Sequence, residues 1–341
     1  MEKSEKLRKS WPTESELNRR IQALRKSLKG CVLCPRKCSV DRTAGEYGVC
    51  GIGEDIILAC ALPHHGEEPP ISGKAGAGTI FFSSCNLQCI YCQNHQISHR
   101  PEGRRISVEE LVEIILKLER MGCHNIELVT PTSQLPSIVE ALSQAHTGKL
   151  DIPIVFNCGG YESPEIIEML SGIVDIYLPD FKYGLAQTGF ELSGVHNYPE
   201  CAIVSIGNMI EQVGAELMID RDVAYRGILI RHLVLPGHTD NSLSVLRAIR
   251  DNFSSSVSLS LMSQYTPTPA VRSHRELYRR ITAQEYTAVV DAALEMGFDN
   301  LYIQEVDGRS LIPDFSMDHP FDWDATTTAP DPVPASPKAA D

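Results

Sequence analysis

Between residues 79 and 305, short apolar runs alternate with stretches whose apolar residues recur at helical spacing, and few folds accommodate that alternation. Strands that return in the same direction need a crossover between them, so the pattern predicts parallel strands joined by helices. Strands are expected at 79–83, 125–130, 153–157, 174–179, 227–235, 257–262 and 300–304. Helices are expected at 107–121, 135–145, 164–170, 199–218, 241–251 and 282–296. Ser107 and Glu110 form a capping box ahead of Leu111, Ile114, Ile115 and Leu118. Six or seven strand–helix units build a partial or complete β/α barrel, an α/β class in which chemistry collects at the carboxyl ends of the strands.

The 341 residues, 43% of them hydrophobic, suffice for one large core and a small accessory module. Leu17, Ile21, Leu24 and Leu28 recur at helical spacing among charges, so residues 1–30 are read as carrying an amphipathic helix able to cap the main domain. Residues 31–72 form a cysteine-rich module and approach loop, 73–305 the barrel core, and 306–341 a C-terminal extension. The tail from Asp324 lacks apolar periodicity and reads as disordered. Gly73-Lys74 is followed by Ala75 and leads into a strand, which excludes a phosphate-binding loop and leaves a flexible approach.

The polar start Met1-Glu2-Lys3-Ser4-Glu5-Lys6 and the lack of a bilayer-length apolar run point away from membranes and towards the cytoplasm. A formal net charge of -13 repels a phosphate backbone and disfavours nucleic acid, leaving protein or small-molecule substrates. With no signal peptide, eleven cysteines argue for reduced thiols that bind metal rather than for disulfides.

Three of those thiols stand on one short loop, Cys85-Asn86-Leu87-Gln88-Cys89-Ile90-Tyr91-Cys92, just after the apolar run Thr79-Ile80-Phe81-Phe82. A loop of this spacing can wrap a cubane cluster and ligate three of its four irons. The fourth iron, left open, can chelate the amino and carboxylate groups of a methionine moiety and deliver an electron into its sulfonium. An electron-transfer centre protects all four irons with cysteine, so the three-thiol loop favours an enzyme over a redox or metal-binding module without radical chemistry.

This loop, with Tyr91 before its last thiol and Asn94 after it, resembles the radical S-adenosylmethionine superfamily. The best likeness within it is to the pyruvate formate-lyase activating enzymes, in a branch with an N-terminal cysteine module. It runs from Cys31 to Gln304 through Cys92-Gln93-Asn94, Asn157-Cys158-Gly159-Gly160-Tyr161, Tyr177-Leu178-Pro179-Asp180-Phe181-Lys182-Tyr183 and Arg231-His232-Leu233-Val234-Leu235-Pro236-Gly237. The resemblance implies a partial (β/α)6-type barrel, a [4Fe-4S] cluster on Cys85, Cys89 and Cys92, and S-adenosylmethionine as its companion. It further implies hydrogen abstraction from a polypeptide, a glycyl-radical enzyme, with electrons from a flavodoxin or ferredoxin-type donor. A small molecule or a modified peptide is the alternative substrate.

The resemblance carries Tyr91, Asn94, Asp180, Lys182 and Arg231 over as cofactor-binding residues. Asp180 and Lys182 stand two apart on an extended segment and so face one side, one able to accept ribose hydroxyls or an ammonium and the other to neutralise a carboxylate. The family's Gly-Gly-Glu after the second strand is replaced here by Val129-Thr130-Pro131-Thr132-Ser133. Thr130 and Thr132 therefore become the candidate ligands, with hydroxyls and carbonyls where a carboxylate is usual. Asn157 and Cys158 stand where some activating enzymes place Asp and Thr around a monovalent cation, so no such site is expected.

Cys31, Cys34, Cys38 and Cys50 form a second constellation whose spacing suits either a closed zinc site or a second iron–sulfur cluster. Four thiols leave no open position, which favours a structural role slightly. Cys60, His64 and His65 lie near enough in sequence to replace one ligand. Cys123, Cys158 and Cys201 read as packing residues, Cys158 being notable for its place at a strand end.

Overall fold

The computed structural model describes residues 11–306, 312–317 and 319–321. Helix α1 (Glu14–Lys26) begins at Thr13, whose hydroxyl accepts the Glu16 N–H at 3.3 Å, and buries Leu17, Ile21 and Leu24. After the cysteine-rich stretch come β1 (Ile56–His64), α2 (Pro69–Ser72) and β2 (Ala77–Phe82). The thiol loop leads to α3 (His95–Ser98) and β3 (Arg104–Ile106), and then the alternation sets in with α4 (Val108–Arg120), β4 (Ile126–Val129), α5 (Leu135–Thr147), β5 (Ile154–Cys158), α6 (Pro164–Glu168) and β6 (Ile176–Pro179). Helices α7 (Ala186–Ser193) and α8 (Tyr198–Val213) precede β7 (Met218–Asp220), β8 (Val223–Ile228) and β9 (Ile230–Leu233). Helix α9 (Thr239–Phe253), β10 (Leu259–Met262), α10 (Ala283–Glu295) and β11 (Leu301–Ile303) complete the order.

Strands β2, β4, β5, β6 and β8 pair in parallel, and β9, β10 and β11 form a second parallel group. The fold is therefore the expected α/β partial barrel. Its one long strand at 227–235 is instead two. Gly227, inside β8, has φ +117°, and a Cβ there would lie 2.0 Å from the Glu216 carbonyl oxygen, so the strand bends where only glycine fits, while the break between β8 and β9 falls at Leu229. Strand β8 stays beside β6 while β9 opens the second group, and a bridge between Asp180 and Arg231 holds the two together.

Three further differences stand beside it. Residues 56–64, read as loop because of Pro63 and the surrounding glycines, form β1, which pairs antiparallel with β2 along its length and with β3 only at Ile56–Leu58, so Pro63 stands where β1 is an edge strand, as strand prolines require. The helix expected to reach residue 218 stops at Gly214, φ +94°, and Met218 enters β7. Helix α7 and the short strands β3 and β7 had no signal of their own. The tail from Asp324 lies outside the described residues.

The capping box at Ser107 and Glu110 forms, and Leu111, Ile114, Ile115 and Leu118 are buried beneath it. Helix α1 caps the domain by packing on α5, held by Arg20, which donates to the carbonyls of Met169 at 3.0 Å and Ser171 at 2.6 Å. Inside the barrel, Ile71 of α2 plugs the amino-terminal end against Ala77, Val155, Ile176, Leu178, Ala224 and Leu229. That apolar floor leaves the opposite end, where the loops emerge, for chemistry. Among the described residues no helix is long and apolar enough to cross a membrane.

Candidate functional site

The thiol loop leaves the carboxyl end of β2 and is tied down from several directions. The Asn86 side chain donates to the Tyr161 carbonyl at 2.7 Å, and the Ile90 N–H to the Leu192 carbonyl at 2.9 Å. Arg36, from the cysteine-rich module, donates to the carbonyls of Asn86 at 2.8 Å, Leu87 at 3.1 Å, Ser193 at 2.7 Å and Gly194 at 3.2 Å. One guanidinium thus staples the loop to the end of α7 through its fixed fork of donors. The Ser84 hydroxyl donates to the Cys50 carbonyl at 2.7 Å and Gln88 to the Val49 carbonyl at 2.8 Å, so the module and the loop share one interface.

The environment of the three thiols suits iron–sulfur ligation. The Leu87 N–H donates to the Cys85 sulfur at 3.4 Å, the Ser193 hydroxyl to the Cys89 sulfur at 3.0 Å, and the Cys92 thiol approaches the Ser98 hydroxyl at 3.5 Å. Burial pushes Cys85 up to about 12, with the Cys89 and Cys92 thiols adding to it, and burial beside Cys89 raises Cys92 as well. Thiols held protonated in this way become thiolates when a metal takes the place of their protons. Among the described residues, no group of three or more His, Cys, Asp or Glu side chains is drawn together as ligands of a single metal ion. A cubane instead takes each thiol on a separate iron.

Across the barrel mouth, Asp180 and Lys182 follow β6. The Lys182 amine pairs with the Asp180 carboxylate. Burial favours the neutral amine, but Asp180, followed by Tyr91 and Cys89, outweighs it and keeps Lys182 a cation. The Tyr198 hydroxyl accepts the Lys182 backbone N–H at 2.8 Å and lies at the same distance from the carbonyls of Gly159 and Asp180. Tyr91 is buried edge-on against Tyr183 and Tyr265, at centroid distances of 6.3 and 6.4 Å. The Asn94 carbonyl receives the N–H groups of Ile97 and Ser98, which closes the loop onto α3.

Thr130 has φ +56°, a strained conformation for a β-branched residue and one that recurs at functional sites. Thr132 is buried and its hydroxyl donates to a Glu162 oxygen at 3.0 Å.

Arg231 is placed differently from the other candidates. Its guanidinium lies between Glu67 and Glu68, donating to Glu68 at 3.0 and 3.1 Å through Nε and pairing with both acids through Nη2. Its side chain is thus engaged by two acids, while its backbone bridges to Asp180. Asn157 donates to Glu127 at 2.7 Å, as does Thr79 from the other side.

Two acids escaped the sequence reading. Glu127 is a lone carboxyl in the apolar run of β4, and burial, with the Glu67 charge adding, holds its pKa up at about 8. Glu162 directly follows the Gly159-Gly160-Tyr161 segment and was the available signal. Gly160, φ +72°, permits the turn that brings it in, since a Cβ there would lie 2.2 Å from the Asp180 carbonyl oxygen. Burial raises Glu162 to about 7, and its Oε2 has no hydrogen-bond partner.

In the cysteine-rich module, Cys34 is pushed up to about 12 by burial, with Cys50, Cys31 and Cys38 all near enough to add to it. The Lys37 N–H turns back to the Cys34 carbonyl at 3.0 Å, with Lys37 and Ser39 both in left-handed conformations. Cys60 packs on the apolar cluster of Leu62, Phe81, Ile97 and Val129, and His64 faces Phe81, Phe321 and Glu67. Cys123 and Cys158 lie in the main core and Cys201 packs against it.

The thiol loop also lies within the stretch that a known family matches. The model of the Radical SAM superfamily matches residues 79–185. The uncharacterized protein MJ0674 of Methanocaldococcus jannaschii is 31% identical over 296 residues, which cover 84% of this chain and 80% of that protein. Among solved structures, Streptococcus suis SuiB bound to the precursor peptide SuiA aligns with a TM-score of 0.45 at 14% identity, over 65% of this chain and 47% of SuiB. Methylornithine synthase (PylB) aligns with a TM-score of 0.46 at 14% identity, over 86% of this chain and 71% of that one. The chain spans about half the length of SuiB. With the thiol spacing, the barrel and the family match in agreement, the chain belongs to the radical S-adenosylmethionine superfamily, whose enzymes work with a [4Fe-4S] cluster and S-adenosylmethionine.

Proposed function

We propose that this enzyme draws a hydrogen atom from a polypeptide, and that the polypeptide is the glycine-bearing loop of a glycyl-radical enzyme. The observation that carries the reading is the meeting, at one barrel mouth, of the Cys85, Cys89 and Cys92 loop with the Asp180–Lys182 pair. Cys85, Cys89 and Cys92 would hold the cluster, and Asp180 and Lys182 would receive the polar groups of S-adenosylmethionine. Tyr91 and Asn94 shape the loop beside them, and Thr130 and Thr132 line the neighbouring strand end. When bound, the [4Fe-4S] cluster and S-adenosylmethionine would supply one-electron reductive cleavage of the sulfonium, and with it the hydrogen-abstracting 5'-deoxyadenosyl radical.

The protein's own part is to position and to exclude water. Arg36 and Ser193 keep the loop in place, and the buried tyrosines around Lys182 keep its charge in a dry setting where an ion pair is strong. Among the described residues, strands β3 and β11 end their sheets without pairing to each other, which leaves one side of the barrel wall open and suits entry of an extended chain. A net charge of -13 supports a polypeptide over a nucleic acid. Electrons would come from a flavodoxin or ferredoxin-type donor. The test mixes reduced enzyme, S-adenosylmethionine and candidate glycyl-radical partners without oxygen and looks for a persistent radical doublet by electron paramagnetic resonance. Turnover with a small metabolite or a modified peptide, and no radical on any partner, would replace this reading with the alternative.

Cys31, Cys34, Cys38 and Cys50 are proposed to hold a second metal centre, zinc or iron–sulfur. Ligation contributes directly to folding in small cysteine modules, so Cys34→Ser is expected to lose that metal alone. Elemental analysis should show zinc lost at constant iron, or about half of the iron lost if both centres are cubanes. Full metal content in the variant would refute the second centre.

A further inference from the structure

The C-terminal extension sends two aromatic rings onto the inner face of the barrel wall. Phe315 and Phe321 pack on Phe81 of β2 at centroid distances of 5.6 and 5.0 Å, over the buried cluster of Leu62, Phe81, Ile97 and Val129. Ala77 of β2 belongs to the inner floor, and successive strand residues face opposite ways, so Thr79 and Phe81 also face inward. Phe81, paired with Val129, is the inward residue of β2 nearest the thiol loop. The Phe321 ring also lies 4.5 Å from that of His64, which reaches Glu67 of the buried Arg231 group at 3.7 Å.

The residues that carry these rings form a flap, described at 312–317 and 319–321, with no helix or strand in it. The Asp314 N–H donates to the Pro320 carbonyl at 3.0 Å and closes the flap on itself. Its anchor stands on α3: Gln96 accepts the Phe315 N–H at 2.8 Å, and two residues on the Ser98 hydroxyl lies 3.5 Å from the Cys92 sulfur. One short turn therefore joins flap and thiol loop, and whatever takes the flap's place lies beside that loop. The flap is also within reach from outside. Phe315 and Phe321 are half-buried, Met317 is 61% exposed, and a cavity of about 220 Å3 is left between Phe315 and Ser316 on one side and Ala59, Ile97 and Gly103 on the other. It follows β11 in sequence yet packs on β1 and β2, so a polypeptide already lies at the side where β3 and β11 leave the wall open.

We propose that this flap sits in the seat of the substrate: the inward face made by Leu62, Phe81 and Val129 receives a large apolar side chain of an incoming polypeptide, which displaces Phe315 and Phe321 as it enters. The inference rests on the polypeptide reading given above and adds where on the barrel that chain binds. A seat closed by its own flap weakens an incoming chain by the fraction of time that it is open, so loosening the flap strengthens binding.

The test uses the anaerobically reconstituted full chain and, as probe, a fluorescently labelled synthetic peptide of residues 312–321, followed by anisotropy up to millimolar protein. The double variant Phe315→Ala, Phe321→Ala is expected to bind it about tenfold or more tighter than the parent, and a peptide with both phenylalanines changed to alanine should bind neither protein. Equal affinity in parent and variant, or no binding to the variant, would overturn the proposal. Should the double variant fail to fold, Gln96→Ala, which cuts the anchor and leaves the aromatic face intact, is read against the same peptide. In the radical assay a responding partner should show a KM about tenfold lower with the variant at a similar kcat, and an unchanged KM would overturn the seat while leaving the enzyme reading intact. Peptide binding as expected, with no radical on any partner, would support the groove and overturn the glycyl-radical reading instead.

Discussion

Replacing Cys85, Cys89 and Cys92 together by alanine should abolish production of 5'-deoxyadenosine and remove about four irons per chain, the content of one cubane. The loop should survive the change, because much of what holds it is backbone: Arg36 grips the carbonyls of Asn86 and Leu87, and Leu192 holds the Ile90 N–H. Lost chemistry at an unchanged melting temperature is therefore the expected pattern. Reconstitution without oxygen, iron analysis and chromatography of the reduced reaction provide the check. If the triple variant still cleaved S-adenosylmethionine, the cluster would have to sit elsewhere.

The second large effect is on stability and concerns Arg231. Its guanidinium is buried between Glu67 and Glu68, and removing one partner of such an arrangement leaves the other charges without water or counterion. Arg231→Ala should cost about 3–5 kcal/mol, read as a fall in the guanidinium chloride midpoint. Adding Glu67→Gln and Glu68→Gln to it should recover much of the loss. A single variant as stable as the parent would show the acids to be hydrated and the pairing unimportant.

Glu68 and Glu127 give the same region opposite pH dependences. Burial alone would raise Glu68, but the charge and hydrogen bonds of Arg231 prevail and lower it. Its contribution is therefore present above the ordinary carboxylate range and fades as pH falls through the lowered pKa. Glu127, held up at about 8, carries a proton in the folded protein that the unfolded chain releases above about 4.3. Its contribution is full below that value and is lost as pH rises towards 8.

The alternation of apolar runs and helical stretches determined the α/β class and the places of most parallel strands and helices along the chain, because each of these depends on residues a few positions apart. The same holds for the capping box at Ser107 and for the thiol loop, whose ligand spacing is a short-range property. Where a strand's identity rested on its neighbours, local reading failed: β1 carries Pro63 and is a strand because β2 and β3 flank it. The bend at Gly227 likewise depends on the Glu216 backbone lying against it.

The site divides along the same line. Cys85, Cys89, Cys92, Asp180 and Lys182 could be singled out as candidates from the chain alone, since each sits in a compact motif. That Arg231 answers to Glu67 and Glu68, more than 160 residues before it, could not. Nor could the reach of Arg36 to the thiol loop, or the pairing of Thr132 with Glu162 across two strand ends. Buried charges and hydrogen bonds are chosen by which strands the fold sets side by side and in what register, and burial decides how strongly they interact. The spacing of cysteines along the chain marked the loop proposed to hold a cluster; only the packed barrel decided that Thr132 and Glu162, thirty residues apart, meet beneath neighbouring strand ends.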